Sequence, residues 1–231
     1  MQYQVVIGMG GSGTRIPGEV FHRLGYDLGN DLNVAYDNLV IDKAFGMYRK
    51  IDLNQIDYSW FKKTLLKAIE ASYSKEPSVL KTPNMLYFLP QLKKLGEEEG
   101  IDFHLIHMVR DGLYMVNNQN QNQYTKYGKF FDLKECEHKH RVLEFWCKVN
   151  LMGIKQTKEL GFNCHKLIYD KIVENPEAEL KGLLTFLHHE KDFAQIATMV
   201  EAIQAYKPAA YKDQLETFPQ HLQQQVLELM L

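Results

Sequence analysis

Short apolar runs alternate along the chain with longer segments in which apolar residues recur at helical spacing. Four of the apolar runs are predicted to be strands: Tyr3–Gly8, Ser78–Lys81, Asp102–Val109 and His165–Tyr169. Strands that alternate with helices are typical of βαβ units. We therefore expect an α/β fold with a central parallel sheet flanked by helices, followed by a helical C-terminal tail.

The helical spacing predicts four well-defined helices: Thr14–Leu24, Asp57–Tyr73, Lys134–Leu160 and Pro176–Leu187. Asn175 is expected to cap the last of these, with Pro176 in its first position. A further helix after Pro83 requires a kink or a break at Pro90. The tail from Phe193 onward has helical period, with a break near Lys207–Pro208. No internal repeat or linker is evident, so residues 1–231 are predicted to form one domain.

The composition indicates a soluble globular protein. Of 231 residues, 45% are hydrophobic and 24% are charged, and the formal charge is −2, which gives no reason to expect nucleic acid as a partner. The three cysteines cannot all pair within one chain, and free thiols suit a reducing compartment. No leader and no apolar run of about 20 residues is present. We expect a cytoplasmic protein that does not enter a membrane.

The first predicted strand runs directly into a glycine-rich segment, Gly8–Arg15. Such a turn between a strand and a helix lets backbone amides approach a phosphate, helped by the helix dipole. Gly8 and Gly13 have the spacing of a Walker loop, but the lysine position holds Thr14 and the Ser/Thr position holds Arg15. The segment therefore favours a phosphate ligand and argues against an ordinary ATPase or kinase.

At this segment the chain resembles the sulfotransferase family, in which a strand is followed by a basic residue and Ser-Gly-Thr. Here the tripeptide is Ser12-Gly13-Thr14. The resemblance implies a P-loop-like sulfotransferase fold that binds 3′-phosphoadenosine-5′-phosphosulfate (PAPS) and releases adenosine 3′,5′-bisphosphate (PAP). It also implies that the tripeptide holds the 5′-phosphosulfate, and that no metal takes part.

A second segment, His107–Gly112, resembles the family motif in which an arginine binds the 3′-phosphate. That residue is Arg110, and a guanidinium pairs bidentately with phosphate oxygens. The family has a serine eight residues later, where this chain has Asn118. Weaker matches are Leu80–Pro83 followed by Leu89–Pro90, and Leu167–Asp170 followed by Pro176–Glu177 and Leu183–Leu187, so that the resemblance extends to about Leu187. In relatives the tyrosine corresponding to Tyr169 lies near the adenine.

Two features depart from the family pattern. The basic residue before Ser-Gly-Thr, which offsets charge on the leaving group, is Gly11 here, and Arg15 or Lys81 would have to replace it. The histidine that follows the lysine-threonine pair in cytosolic relatives is Pro83 here. Other relatives use a carboxylate as base, and Asp37 falls in about that region.

The resemblance therefore implies two sets of site residues. The expected catalytic residues are Lys81, Arg15 and Asp37. The expected donor-binding residues are Gly11, Ser12, Gly13, Thr14, Arg15, Arg110, Asn118 and Tyr169. The acceptor would be a hydroxyl or amine on a small molecule, carbohydrate or peptide, and assembly into a homo-oligomer is left open.

Two alternatives accompany the sulfotransferase hypothesis. A non-catalytic member of the same fold would bind the nucleotide without transfer, as Gly11 suggests. A kinase with a divergent Walker loop is disfavoured by the residues at its two key positions. A zinc site at Cys136, His138, His140 and Cys147 is not expected, because these side chains do not converge on one helix face.

Overall fold

A computed structural model describes residues 1–46, 51–118, 121–189, 194–203 and 212–231. The strands are β1 (Gln2–Gly8), β2 (Ser78–Lys81), β3 (Asp102–Val109) and β4 (Cys164–Ile168). The helices before β4 are α1 (Arg15–Arg23), α2 (Leu39–Ala44), α3 (Tyr58–Ser72), α4 (Leu89–Glu99), α5 (Gly112–Asn117), α6 (Asn122–Tyr127) and α7 (His138–Glu159). Those after it are α8 (Tyr169–Glu174), α9 (Pro176–Phe186), α10 (Ile196–Ile203) and α11 (Gln220–Met230). The described residues also include the 3₁₀ segments Pro83–Phe88, Gly128–Phe130 and Lys212–Thr217.

The four strands form one sheet in the order β2-β1-β3-β4. β1 and β2 pair in parallel, with Tyr3 opposite Ser78 and Val6 opposite Lys81. Every residue of β1 after Gln2 is buried, as expected of an inner strand covered on both faces. The predicted α/β class with a central sheet is confirmed, and so is the helical tail within the residues described.

Most predicted boundaries are confirmed to within a residue or two. β2 and β3 match their predicted ranges, and Asn175 caps α9 with Pro176 in the first position. The expected break at Pro90 occurs as a change from a 3₁₀ segment to α4, with Pro90 in the first turn of the new helix. The predicted features at Phe193 and at Lys207–Pro208 lie outside the described residues.

One predicted helix start is wrong by four residues, and one predicted strand end differs by a single residue. The helix expected from Lys134 begins at His138, because the backbone amides of Lys134 and Glu135 donate to the Glu144 carboxylate instead of entering the helix. The strand expected to end at Tyr169 stops at Ile168, and Tyr169 opens α8. The short helices α2, α5, α6 and α8 were not predicted, since six residues are too few to show a helical period.

The chain divides into two compact units, each assembled from separate stretches of sequence. The first unit contains residues 1–8, 14–107 and 153–164, and the second contains residues 9–13, 108–152 and 165–231. The prediction of one domain stays a prediction.

In the part of the chain that the structure describes, no helix has the length and apolar character needed to cross a membrane.

An aromatic cluster fixes α2 within the first unit. The rings of Phe45, Phe61 and Phe88 lie with centroids 5.7–5.9 Å apart, and all three side chains are buried. Aromatic pairs at such distances add stability beyond the area that they bury. The cluster therefore anchors the end of α2, whose start follows directly after Asp37 and Asn38.

Asn38 anchors the start of α2 through its fully buried side chain. Its Oδ1 accepts from the Ile41 amide at 3.1 Å, which caps the helix, and its Nδ2 donates to the Leu28 carbonyl at 3.1 Å. Its backbone amide donates to the Lys81 carbonyl at 3.0 Å, at the end of β2. Asn38 therefore connects α2 to the end of a core strand, and it positions the neighbouring Asp37.

Replacing Asn38 with alanine should lower the free energy of unfolding by about 2–4 kcal/mol, since a helix cap is lost and buried groups lose their partners. Asn175→Ala is the matched control, because it removes a cap whose bond to the Ala178 amide is 3.5 Å long and exposed. That variant should lose about 1 kcal/mol or less. Urea unfolding measures both losses, and equal losses would contradict the structural role given to Asn38.

Candidate active site

The glycine-rich segment forms a tight loop between β1 and α1. The Ser12 amide donates to the Met9 carbonyl at 3.0 Å, which closes the turn. Gly11 and Gly13 have φ values of +91° and +89°, in the region that favours glycine. The predicted loop is therefore present in the backbone, and two of its glycines are required by conformation.

Gly13 also allows an aromatic ring to pack against the loop. A Cβ atom at Gly13 would lie 2.9 Å from Cε2 of Tyr169 and nearer still to Cδ2, closer than real Cβ contacts come. Tyr169 is the first residue of α8 and is buried. Only a residue without a side chain at position 13 leaves room for this ring.

Arg110, at the end of β3, reaches the same loop. Its Nη1 donates to the Gly11 carbonyl at 3.3 Å, and its guanidinium carbon lies 3.3 Å from the ring centroid of Tyr114 and 3.8 Å from that of Tyr169. Its Nε is buried, and within the described residues no group accepts a hydrogen bond from it. The guanidinium is therefore held mainly by aromatic rings and one backbone carbonyl.

A buried hydroxyl lies in the loop itself. Ser12 is 1% exposed, and its Oγ has no hydrogen-bond partner among the residues that the structure describes. Leaving a polar group buried without a partner costs about 1–3 kcal/mol. A ligand that engages the hydroxyl would offset that cost, so the loop has the donor set that an anion requires. We call Met9–Gly13, Arg110, Tyr114, Asn118 and Tyr169 the glycine-loop cluster, all within the second unit.

Gly11 occupies the position at which the resembled family has a basic residue. A Cβ atom there would lie 3.3 Å from Sδ of Met115 and 3.4 Å from Nδ2 of Asn118. The φ of +91° opposes a side chain at the position, whereas the contact with Met115 would require only a small shift of a flexible side chain. The missing lysine is therefore not a simple substitution, because the loop backbone itself has a conformation that suits glycine.

A second group of predicted residues comes together in the first unit. Nζ of Lys81 lies 2.5 Å from Oδ1 of Asp37 and 3.4 Å from Oγ1 of Thr14, and the lysine is fully buried. We call Thr14, Asp37 and Lys81 the lysine cluster. Thr14 follows Gly13 directly, so a single peptide bond joins the lysine cluster to the glycine loop.

Burial lowers the pKa of Lys81, while the carboxylates of Asp37 and Asp42 act in the opposite direction. The charged lysine therefore depends on its ion pair with Asp37. Asp37 is itself held by Asn33, whose Nδ2 donates to Oδ2 at 2.9 Å. The Asp37 side chain is 21% exposed, so another molecule can still reach this carboxylate.

The stem of Lys81 is confined by α1. A Cβ atom on Gly18 would lie 3.0 Å from both Cδ and Cε of Lys81 and 3.0 Å from Cβ of Tyr36. Tyr36 has a φ of +64°, and its hydroxyl donates to Glu19 at 2.5 Å. This bond, assisted by Arg23, lowers the pKa of Glu19. These contacts fix the loop that carries Asp37.

The structure brings together all but one of the expected site residues, in two groups. Gly11, Ser12, Gly13, Arg110, Asn118 and Tyr169 lie in the glycine-loop cluster, and Thr14, Lys81 and Asp37 lie in the lysine cluster. Arg15 is exposed, and in the described part of the chain it makes no hydrogen bond or ion pair. Its expected roles in donor binding and catalysis stay predictions.

Tyr114 is a site residue that sequence reasoning missed. It lies four residues after Arg110, one helical turn away, in the unpredicted helix α5. The available signal was Asp111, whose side chain accepts from the Leu113 amide at 2.9 Å and caps that helix.

Among the residues described, no group of three or more His, Cys, Asp or Glu side chains is arranged to hold a metal ion.

Comparison with solved structures gives a similarity to a sulfotransferase domain from the curacin biosynthetic pathway. The identity is 15% and the TM-score is 0.43, over 80% of this chain and 73% of that one. No protein-family model and no curated protein matches the chain. What the chain does is therefore inferred from its own residues and contacts.

The two members of the Lys81–Asp37 pair should respond differently to replacement. Asp37→Asn leaves the buried ammonium without its counter-charge and should cost about 3 kcal/mol near neutral pH. Lys81→Met removes that charge and leaves a partly exposed carboxylate, so the free energy of unfolding should change by about 1 kcal/mol or less. Urea unfolding of both variants tests the difference.

The same pair predicts a pH dependence. In Asp37→Asn the folded-state pKa of Lys81 falls further below its unfolded value of about 10.4. At any pH between these two pKa values, the unfolded chain therefore binds more protons than the folded chain. The stability of this variant should therefore rise with pH from neutrality towards the unfolded lysine pKa, more steeply than in the wild type. A slope no steeper than that of the wild type would show that Lys81 does not rely on Asp37.

Gly13→Ala should destabilise the protein more than Gly25→Ala does. Both positions have positive φ, at +89° and +78°, but a Cβ atom at Gly25 meets nothing within 4 Å. The two variants share the backbone strain, and only the first displaces Tyr169. The difference in free energy of unfolding should be about 2 kcal/mol, as for an overpacked core, and equal values in urea would contradict the packing of Tyr169 on the loop.

Proposed function

We propose that this protein is a sulfotransferase that moves a sulfuryl group from PAPS to a hydroxyl or amine acceptor. The observation that carries the proposal is the hydrogen bond from Arg110 to the Gly11 carbonyl, at 3.3 Å. Two segments that the sequence marks separately as anion binders, almost a hundred residues apart, lie in one cluster. A nucleotide with phosphates at both its 3′ and 5′ positions requires such an arrangement.

The chemistry of the glycine-loop cluster suits such a donor. Loop amides and the Ser12 hydroxyl supply uncharged hydrogen-bond donors for the 5′-phosphosulfate of PAPS, as backbone anion sites do. Arg110 supplies a charged, planar donor set for the 3′-phosphate, and the Asn118 amide can add a hydrogen bond. The unpartnered Ser12 Oγ and Arg110 Nε are the donors that a ligand would satisfy.

Transfer itself requires a base and a cation in addition to donor binding. The acceptor oxygen or nitrogen attacks the sulfur, the bond from sulfur to the bridging phosphate oxygen breaks, and PAP leaves with the electron pair. Asp37 takes the acceptor proton, because its carboxylate is partly exposed and fixed by Asn33. Lys81 offsets the charge on the leaving oxygen, a type of electrostatic stabilisation often worth about 10²-fold or more in rate.

Lys81 is better suited to this role than Arg15. Lys81 donates to Thr14, the residue that follows Gly13 in the loop, whereas Arg15 is exposed. The proposal therefore assigns the function of the missing basic residue to a lysine on β2. Acceptors of any size, from small molecules to carbohydrates or peptides, fit this chemistry.

A nucleotide-binding protein without transfer activity is the second candidate. The observation that favours it is the positive φ of Gly11, a backbone conformation that opposes a catalytic side chain there. Both candidates require the same nucleotide, and only the first requires Lys81 to act in chemistry. Binding and transfer must therefore be measured separately.

PAP should raise the melting temperature more than AMP or ATP does, because only PAP offers a 3′-phosphate to Arg110. Labelled PAPS with a panel of alcohols, phenols and amines should give a labelled product. Lys81→Met should keep PAP binding and lower the transfer rate about 10²-fold or more. Lys93→Met, which removes a surface lysine paired with Glu97, is the control and should retain both.

Each result separates the candidates. No preference for PAP over AMP would overturn the donor assignment. PAP binding without transfer to any acceptor would favour the second candidate. Magnesium-dependent stabilisation by ATP alone would favour a kinase instead.

A further inference from the structure

The guanidinium of Arg110 lies between two tyrosine rings. Its central carbon is 3.3 Å from the ring centroid of Tyr114 and 3.8 Å from that of Tyr169. At such distances each ring lies in van der Waals contact with the guanidinium, so the two rings have room only on opposite faces. A ligand anion can therefore approach Arg110 only at its edge, where the N–H groups point.

Backbone structure sets the position of both rings. Tyr114 belongs to α5, which is capped by Asp111, and Tyr169 is the first residue of α8. The Asp111 amide donates to Oδ2 of Asp170 at 3.2 Å, which ties the two helix starts together. The backbone positions of Tyr114 and Tyr169 are thus fixed independently of Arg110.

The packing of α5 confirms that its position is restricted. A Cβ atom on Gly112, its first residue, would lie 2.7 Å from Leu143 and 2.7 Å from Trp146, both on α7. Because no side chain fits between the two helices at this point, α5 lies close against α7. Tyr114, two residues further on, is carried by this tightly packed turn.

Arg110 keeps its charge available for a ligand because rings hold it. In the described residues it forms no ion pair, and its Nε donates to no protein acceptor. A carboxylate partner would neutralise the guanidinium and compete with phosphate, whereas an aromatic face attracts the cation and leaves its edge unoccupied. One edge donor is used by the Gly11 carbonyl, and the others point away from both rings.

We propose that Tyr114 is a positioning residue that holds the Arg110 guanidinium edge-on for the 3′-phosphate of the donor. This inference rests on the proposed function. Tyr114 does not touch the transferred group. It acts by restricting the orientation of Arg110, so its removal affects recognition of the 3′-phosphate and leaves other nucleotide contacts unchanged.

The test compares dissociation constants for PAP and AMP, measured by calorimetry, in the wild type and two variants. Tyr114→Leu removes one ring and should weaken PAP binding about tenfold, the loss expected for a cation–π contact, with AMP affinity unchanged. Tyr114→Phe keeps the ring and should retain the preference for PAP. Tyr124→Leu is the matched control, because that ring contacts Phe145 and not Arg110.

Every outcome decides between clear alternatives. If the wild type shows no preference for PAP, the proposed function fails, and with it the role of Tyr114. If the wild type prefers PAP and Tyr114→Leu keeps the full preference, only the positioning role is overturned. Equal weakening of PAP and AMP, or loss of the preference in Tyr114→Phe, would also overturn it, since neither follows from an aromatic face that orients Arg110.

Discussion

The glycine-loop cluster depends on the absence of side chains at Gly11 and Gly13. Both residues have φ near +90°, a conformation that costs an ordinary residue about 1–2 kcal/mol. At Gly13 the missing side chain lets Tyr169 pack onto the loop, and that ring in turn lies on Arg110. A guanidinium at the end of β3 is thereby brought to the carbonyl of Gly11. Removing this close approach would separate the two groups on which the proposed anion binding relies.

Arg110 in the second unit and Lys81 in the first are held in opposite ways. Arg110 lies between tyrosine rings with no carboxylate partner in the described chain, so its charge remains available for a ligand. Lys81 is fully buried, its pKa is lowered by that burial, and Asp37 compensates with an ion pair at 2.5 Å. Burial favours the neutral form of an ammonium, so the charge of Lys81 depends on Asp37. Arg110 therefore suits the proposed recognition of phosphate, and Lys81 suits the proposed offset of charge on the leaving oxygen.

Sequence reasoning located the strands because their apolar runs are bounded by glycine, proline and charged residues, as at Gly8 and Lys81. It located Arg110 and Ser12 because each lies in a motif of contiguous residues. The Asp37–Lys81 pair joins positions 44 residues apart, and no spacing rule predicts that contact, although both residues were expected in the site on other grounds. Tyr114 was missed because α5 is too short to show a period, and because Asp111 was assigned to a phosphate motif and not to a helix cap.

The glycine at position 11 is best understood together with Arg110. A lysine there would have to adopt a positive φ, at a cost of about 1–2 kcal/mol, so the loop conformation favours glycine. In this chain the Gly11 carbonyl accepts a hydrogen bond from a guanidinium whose two faces are covered by Tyr114 and Tyr169. Positive charge at the loop is thus supplied by a residue from another strand and oriented by aromatic rings. A loop that lacks its own cation can still attract an anion, because electrostatic attraction depends on where the charge lies and not on which segment carries it.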